Sequence, residues 1–470
     1  MPISLQEKEL EILRMAVDEA EKNQGNEIVN TPEVKQIIEI VEEFLKKKRL
    51  MCYGGTAINN ILPEEDQFYD KSIEIPDYDF YSPDALGDAK KLADLYYKKG
   101  YQEVEAKAGQ HEGTFKVFVN FIPVADITQM DQTLYNRVKK HGIAVDGIVY
   151  TPPNFLRMSM FLELSRPAGN VGRWEKVLKR LLLLNKNYPL KGVKCDKQEF
   201  QRSFEKKTKN EDDIYLTVRD SFIDQGVVFF GGFANTLYSK YMPSKMKKKM
   251  EKIPDFDIIS LDPDKTATIL KERLNDNGIE NVKVKKHKEV DEIIPEHYEV
   301  IVGKETICFI YKTTACYSYN TIDINNRKAK IASIDTMMSF YLAFVYANKP
   351  YYDEERILCM SQYLFDVQKK NRLEQKGLLK RFSTQCYGKQ ATKESMRAEK
   401  ADKYKKLKEK RGTKEYDKVF LRYVPKEIEE KKVKKVKNVK KVKSIMKKTK
   451  KRGRRAHKKT KRRVKFLGIL

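Results

Sequence analysis

One pattern is written twice along the 470-residue chain, and it limits the available folds more than any other feature. "YGGTAIN" (53–59) is matched by "FGGFANT" (230–236), and "IPDYDFYS" (75–82) by "IPDFDIIS" (253–260). The offset is 177 residues at the glycines and 178 at the IPD motifs. Each pair precedes a predicted helix (83–99 and 263–275) and then strand-like segments, which close with "FIPVADIT" (121–128) and "YNTIDIN" (319–325). An apolar helix follows each, "NFLRMSMFLELS" and "IDTMMSFYLAFVYA". Recurrence of a whole ordered set predicts two α/β (α+β) domains of one design.

A strand that holds two carboxylates side by side needs a reason, because they repel each other and resist desolvation. Residues i and i+2 of a strand share a face, so Asp77 and Asp79 project together, and Asp126 joins them if its strand is a neighbour. Three carboxylates without His or Cys make a hard oxygen site suited to Mg2+ or Mn2+. Two such ions clamp the attacking and leaving oxygens of a phosphoryl-type displacement. Gly54 and Gly55 let backbone approach a phosphate, the helix that opens near Thr56 turns N–H groups towards it, and the Thr56 hydroxyl adds a donor. The second copy keeps Asp255, Asp257 and Asp323 but has Phe233 in the place of Thr56.

Forty per cent of residues are hydrophobic and no stretch approaches a membrane span, while the N-terminus mixes charges into its apolar positions unlike a secretory signal. The six cysteines form no C-x-x-C pair and the five histidines are scattered, which excludes a zinc cluster and favours reduced, structural thiols. The net charge of +27 is concentrated: residues 431–470 carry 21 Lys or Arg and no acid. Such a tail points to a polyanionic partner, nucleic acid first, or alternatively to a solubilising or nuclear-import role. At the other end a helix starts at the Thr31-Pro32 cap, with Val34, Ile37, Ile38, Val41 and Leu45 on one side. The segment "NVGRWEKVLKRLLLLNK" reads as a helix on which Arg173, Lys176, Lys179 and Arg180 either meet phosphates, Lys176 foremost, or form a solvated face. Trp174 within it reads as a core residue or, less naturally, a base-stacking one.

The ordered set of Gly-Gly-Thr, Asp-x-Asp and a later strand Asp resembles the nucleotidyltransferase fold of DNA polymerase β and of the poly(A) and CCA-adding polymerases. "YGGTAIN", "IPDYDFYS", "VADIT" and "FLRMSMFLELSRP" resemble more closely the poly(A) polymerase catalytic subunits of large cytoplasmic DNA viruses, over about residues 30–390. The resemblance implies one catalytic unit and one degenerate relative, and transfer of AMP from ATP to an RNA 3′ end with divalent metal. It makes Asp77, Asp79 and Asp126 the metal-binding catalytic residues and Gly54, Gly55 and Thr56 the triphosphate-binding ones, to which the reading of the basic helix adds Lys176 as a nucleotide-binding residue. It also implies a viral factory in host cytoplasm and the virion as locations, and leaves open a homodimer or an accessory processivity subunit. The expected domains are an N-terminal helix (1–30), a catalytic nucleotidyltransferase domain (31–185), an inactive relative (186–395) and a disordered basic RNA-binding tail (396–470). Two other readings stand beside this one: a uridylyl or CCA-adding nucleotidyltransferase, and a non-catalytic RNA-binding protein with two degenerate folds.

Overall fold

A computed structural model describes residues 5–70, 72–198, 211–248, 254–290 and 293–425. The chain opens with a helix over Leu5–Val29, whose stripe of Leu10, Leu13 and Val17 is exposed. The next helix, Pro32–Lys48, starts as its sequence requires, with the Val34 N–H donating to Thr31 Oγ1 at 3.4 Å and proline in the first turn. It buries Val34, Ile37, Val41 and Leu45, and Lys46–Lys48 sit at its negative end.

Two eight-stranded sheets follow. The first holds β1 (Met51–Cys52), β2 (Tyr78–Ser82), β3 (Val104–Ala108), β4 (Thr114–Val119), β5 (Ile122–Gln129), β6 (Ile143–Val145) and β7 (Ile148–Tyr150). The second holds β8 (Val228–Phe230), β9 (Phe256–Ser260), β10 (Val282–His287), β11 (His297–Val302), β12 (Glu305–Lys312), β13 (Tyr317–Ile324) and β14 (Arg327–Ala332). A late strand caps each: β15 (Cys386–Tyr387) joins the second sheet and β16 (Arg422–Tyr423) the first. The orders are β16-β3-β4-β5-β2-β1-β7-β6 and β10-β11-β12-β9-β8-β14-β13-β15. Without the caps they coincide strand for strand, each with one parallel pair joining the acid strand to a neighbour (β2 with β5, β9 with β12).

That correspondence corrects one match drawn from sequence. The counterpart of "FIPVADIT" is β12, "ETICFIYK", and Phe309 pairs with Asp257 where Asp126 pairs with Asp79. Asp323 lies on β13, the counterpart of β6, exposed and 3.7 Å from Lys328. Both "YNTIDIN" and "FIPVADIT" alternate apolar and acidic residues, and only strand pairing tells them apart.

The helices after each sheet's last strands, Pro153–Leu164 and Ile334–Val345, pack on one another. Arg157 on the first is fully buried and donates to Asn185 Oδ1 at 2.7 Å, and also to Asn154 Oδ1 and the Tyr188 carbonyl. Expectation and structure differ in two further places. Residues 396–425 are no tail: a helix over Lys393–Leu407, a helix over Lys414–Phe420 and β16 return to the first sheet, anchored by buried Val419 and Leu421. Two apolar anchors in a lysine-rich stretch were too few to register as texture. The basic stretch 431–470 lies outside the described residues. Four of the six cysteines are paired, Cys195 with Cys359 and Cys316 with Cys386, at Cα–Cα distances of 5.3 and 5.2 Å. Separations of 164 and 70 residues hide such pairs from any spacing rule. No helix among the described residues is long and apolar enough to cross a membrane.

Candidate active site

β1 delivers the chain in extended form to Tyr53, and the helix Gly54–Ile61 opens at once. Gly54 has φ +76°, a left-handed conformation that glycine adopts without strain. A Cβ there would lie 2.5 Å from Asp79 Oδ2, so the missing side chain makes room for this chain's own carboxylate. At Gly55 a Cβ would meet Tyr69 Oη at 2.5 Å and Arg180 Nη2 at 2.9 Å. The glycine pair therefore makes room for acid, phenol and guanidinium.

The turn is tied to the acid strand from both sides. The Tyr53 N–H donates to the Asp79 carbonyl at 2.9 Å, and Thr56 Oγ1 donates to the Asp77 carbonyl at 2.7 Å. The Thr56 proton thus goes to backbone in this structure, while the residue also lines the cavity of the three aspartates. The Tyr53 ring stacks on Tyr81 at 4.1 Å, and Tyr81 meets the edge of Phe155 at 6.1 Å.

Asp77 stands just before β2, Asp79 on it, and Asp126 directly opposite Asp79 on parallel β5. All three line one cavity of about 480 Å³ together with Gly54, Gly55, Thr56, Arg173, Lys176 and Arg180. Burial, then the charges of Asp77 and Asp126, push the Asp79 carboxyl up to about 7 against the opposing pull of Lys116 and Arg173. Asp77 is raised by burial and by Asp126, with Lys116 opposing.

The basic helix divides its residues. Arg173, Lys176 and Arg180 face the cavity, whereas Lys179 pairs with Glu175 at 2.6 Å in solvent. Arg180 donates to Tyr69 Oη at 2.5 Å and lies over the Phe68 ring at 5.0 Å. Arg173 is 3.4 Å from Glu163 Oε1. Burial, then Arg180 and Arg173, lower the Lys176 ammonium, and a phosphate would restore it. Trp174 is a packing residue: its Nε1–H donates to the Glu163 carbonyl at 3.1 Å, and its ring lies 6.1 Å from Phe382.

Sequence reasoning missed Lys116, Tyr69 and Glu163. Lys116 was visible only as the one charge within "TFKVFV", and its partner became known only with the β4–β5 register.

The donor set fits a hard divalent cation: oxygen ligands only, partly buried, with mutual repulsion that a cation relieves. A different trio, Cys195, Glu355 and Cys359, has its donor atoms within 4.8 Å of one another, but its two sulfurs are bonded to each other. In the second sheet the aspartates sit beside Phe309, and Phe233 is buried among Phe229 at 4.8 Å and Phe256 at 5.3 Å. Its ring is part of the core there.

Residues 39–170 match the model of a family described as the poly(A) polymerase catalytic subunit. Asp77, Asp79, Asp126 and the glycine turn all fall inside that segment, and Lys176 falls just beyond it. A candidate poly(A) polymerase catalytic subunit of Acanthamoeba polyphaga mimivirus is 36% identical over 162 residues, 34% of this chain and 27% of that one. One from African swine fever virus (strain Badajoz 1971 Vero-adapted) is 30% identical over 177 residues, 36% of each chain. The match thus spans about a third of the length of these relatives. The crystal structure of the Megavirus polyadenylate synthase shares the fold, with a TM-score of 0.74 over 91% of this chain and 87% of that one, at 21% identity.

Proposed function

We propose that the chain is a polynucleotide adenylyltransferase, which transfers AMP from ATP to the 3′ end of RNA without a template. One observation carries this reading: the Asp79–Asp126 pair on adjacent parallel strands beside the Gly54 turn, within the segment that resembles viral poly(A) polymerase catalytic subunits. We assign the catalytic unit to residues 31–185 and a degenerate relative to 186–395, since the second copy has Phe309 in place of the third aspartate. The relatives come from large DNA viruses, in keeping with a viral factory and the virion as locations. Their description as catalytic subunits favours an accessory partner, and the measured mass of the purified particle tests that against a homodimer.

In this reading Asp77, Asp79 and Asp126 hold Mg2+ or Mn2+. When bound, the ions would lower the pKa of the RNA 3′-hydroxyl and neutralise charge gathering on the leaving pyrophosphate. Arg173, Lys176 and Arg180 receive the triphosphate as a cationic wall opposite the acids. One of the aspartates takes the hydroxyl proton. Gly54 and the Thr56 hydrogen bond keep the acid strand and the turn in register, so the carboxylates are placed before substrate arrives.

Supplying ATP, UTP, CTP and GTP singly with a short RNA primer and Mg2+ or Mn2+ tests the assignment. Addition of long runs from ATP alone is expected. Equal use of UTP would move the enzyme to the uridylyl class, and no metal-dependent incorporation would leave an RNA-binding protein.

A further inference from the structure

One row of residues crosses three neighbouring strands of the first sheet: Lys116 on β4, Asp126 on β5 and Asp79 on β2. Lys116 Nζ is ion-paired with Asp126 Oδ2, the lysine side chain 38% exposed and the aspartate 16%. In the second sheet the same row reads Glu299, Phe309 and Asp257. The lysine and the third aspartate are missing together there, and Glu299 has partners of its own, His287 at 2.8 Å and Thr306 at 2.6 Å. Protection of a sheet edge does not explain Lys116, because β4 lies between β3 and β5. Its presence tracks the carboxylate trio.

We propose that Lys116 is the resident counter-ion of that trio. It holds Asp126 while the site is without metal and competes with the divalent cation for the same carboxylate, thereby setting how tightly the site takes the cation. The three carboxylates share a cavity, but their oxygens are not gathered to the 4.8 Å spacing of a closed three-ligand site. A lysine paired with Asp126 beside the other two carboxylates is the arrangement such competition requires. The proposal rests on the metal-site reading above. Lys116 is a positioning residue in this scheme, since it acts on the cation through Asp126.

Calorimetric titration of the nucleotide-free full chain with Mn2+ tests it. Lys116→Met leaves the trio one unit of positive charge poorer, so Mn2+ is expected to bind about tenfold more tightly. Lys116→Arg keeps the charge and is expected to stay within about threefold of the parent. Lys116→Gln, read beside circular dichroism, serves as a second charge-removing variant if the methionine chain does not fold. Unchanged or weaker Mn2+ binding on charge removal would overturn the counter-ion role while leaving the metal site standing. Failure of the parent chain to bind Mn2+ would instead sink the metal-site reading, and the counter-ion role with it.

Discussion

Asp79 is the residue on which most of the site's electrostatics converge. Its carboxyl is pushed from 3.8 to about 7 by burial first and by Asp77 and Asp126 second. Between those values the folded metal-free chain keeps a proton that the unfolded chain has released. The group's contribution to stability therefore falls as pH rises through this window and is least favourable above pH 7. A divalent cation binds the charged form, so its affinity runs the other way and levels off above pH 7. Mn2+ titrated at pH 8 should bind at least about fivefold more tightly than at pH 6. Asp79→Asn should erase that pH dependence of binding and raise the melting temperature of the metal-free chain at pH 8. An affinity flat between pH 6 and 8 would remove Asp79 from the ligand set.

At the scale of elements, the position of the acids depends on strand pairing more than on residue identity. Asp77→Ala with Asp79→Ala is expected to reduce primer extension by more than about a thousandfold. Asp255→Ala with Asp257→Ala should leave it within about threefold, because Phe309 denies that pair a third carboxylate. The reverse result would move the active site to the second sheet. The repeated glycine turns and the IPD strands were legible in the sequence because each carries its own chemistry: glycine at a positive φ, and acids two apart on one face. The third strand of the second unit was not legible. Its identity lies in which strand β9 pairs with, and pairing is set by the whole sheet. The disulfides escaped for the same reason. Cys195–Cys359 ties the segment after the first unit's last helix to the helix Glu354–Lys370, closing a loop across 164 residues. Cys195→Ser is expected to cost about 2–4 kcal/mol in urea unfolding, and the parent chain under reducing agent, which opens Cys316–Cys386 as well, is expected to lose at least as much. Equal stability with and without reductant would show that the pair does not form in solution.

The whole molecule is less modular than its duplicated sequence suggests. The C-terminal segment that follows the second sheet crosses back to the first sheet. Lys90 meets Asp417 at 2.6 Å, Lys400 donates to the Gly109 carbonyl at 2.7 Å, and Tyr423 donates to Asp94 at 2.6 Å. β16 covers the β3 edge, and Leu421 is buried against the first unit's core. Charge composition alone marks this region as tail, whereas its few apolar residues give it a structural role. Two truncations separate these possibilities. A chain ending at residue 425 keeps β16 and the burial of Val419 and Leu421, so it should keep what the returning strand contributes to the melting temperature. A chain ending at residue 392 forfeits β16 and the burial of Val419 and Leu421. At about 1.5–3 kcal/mol for each buried apolar side chain, its first thermal transition should fall by several degrees. Primer extension divides the two in a second way. If residues 431–470 grip RNA, ending the chain at residue 425 should shorten the products made in one binding event while sparing the first addition, and more so as salt is lowered towards the range where such binding is strong. Ending it at residue 392 should depress the first addition as well, since the edge of the sheet that carries Asp126 is then uncovered. Equal melting temperatures for the two truncations would show that the returning strand contributes nothing to the first unit.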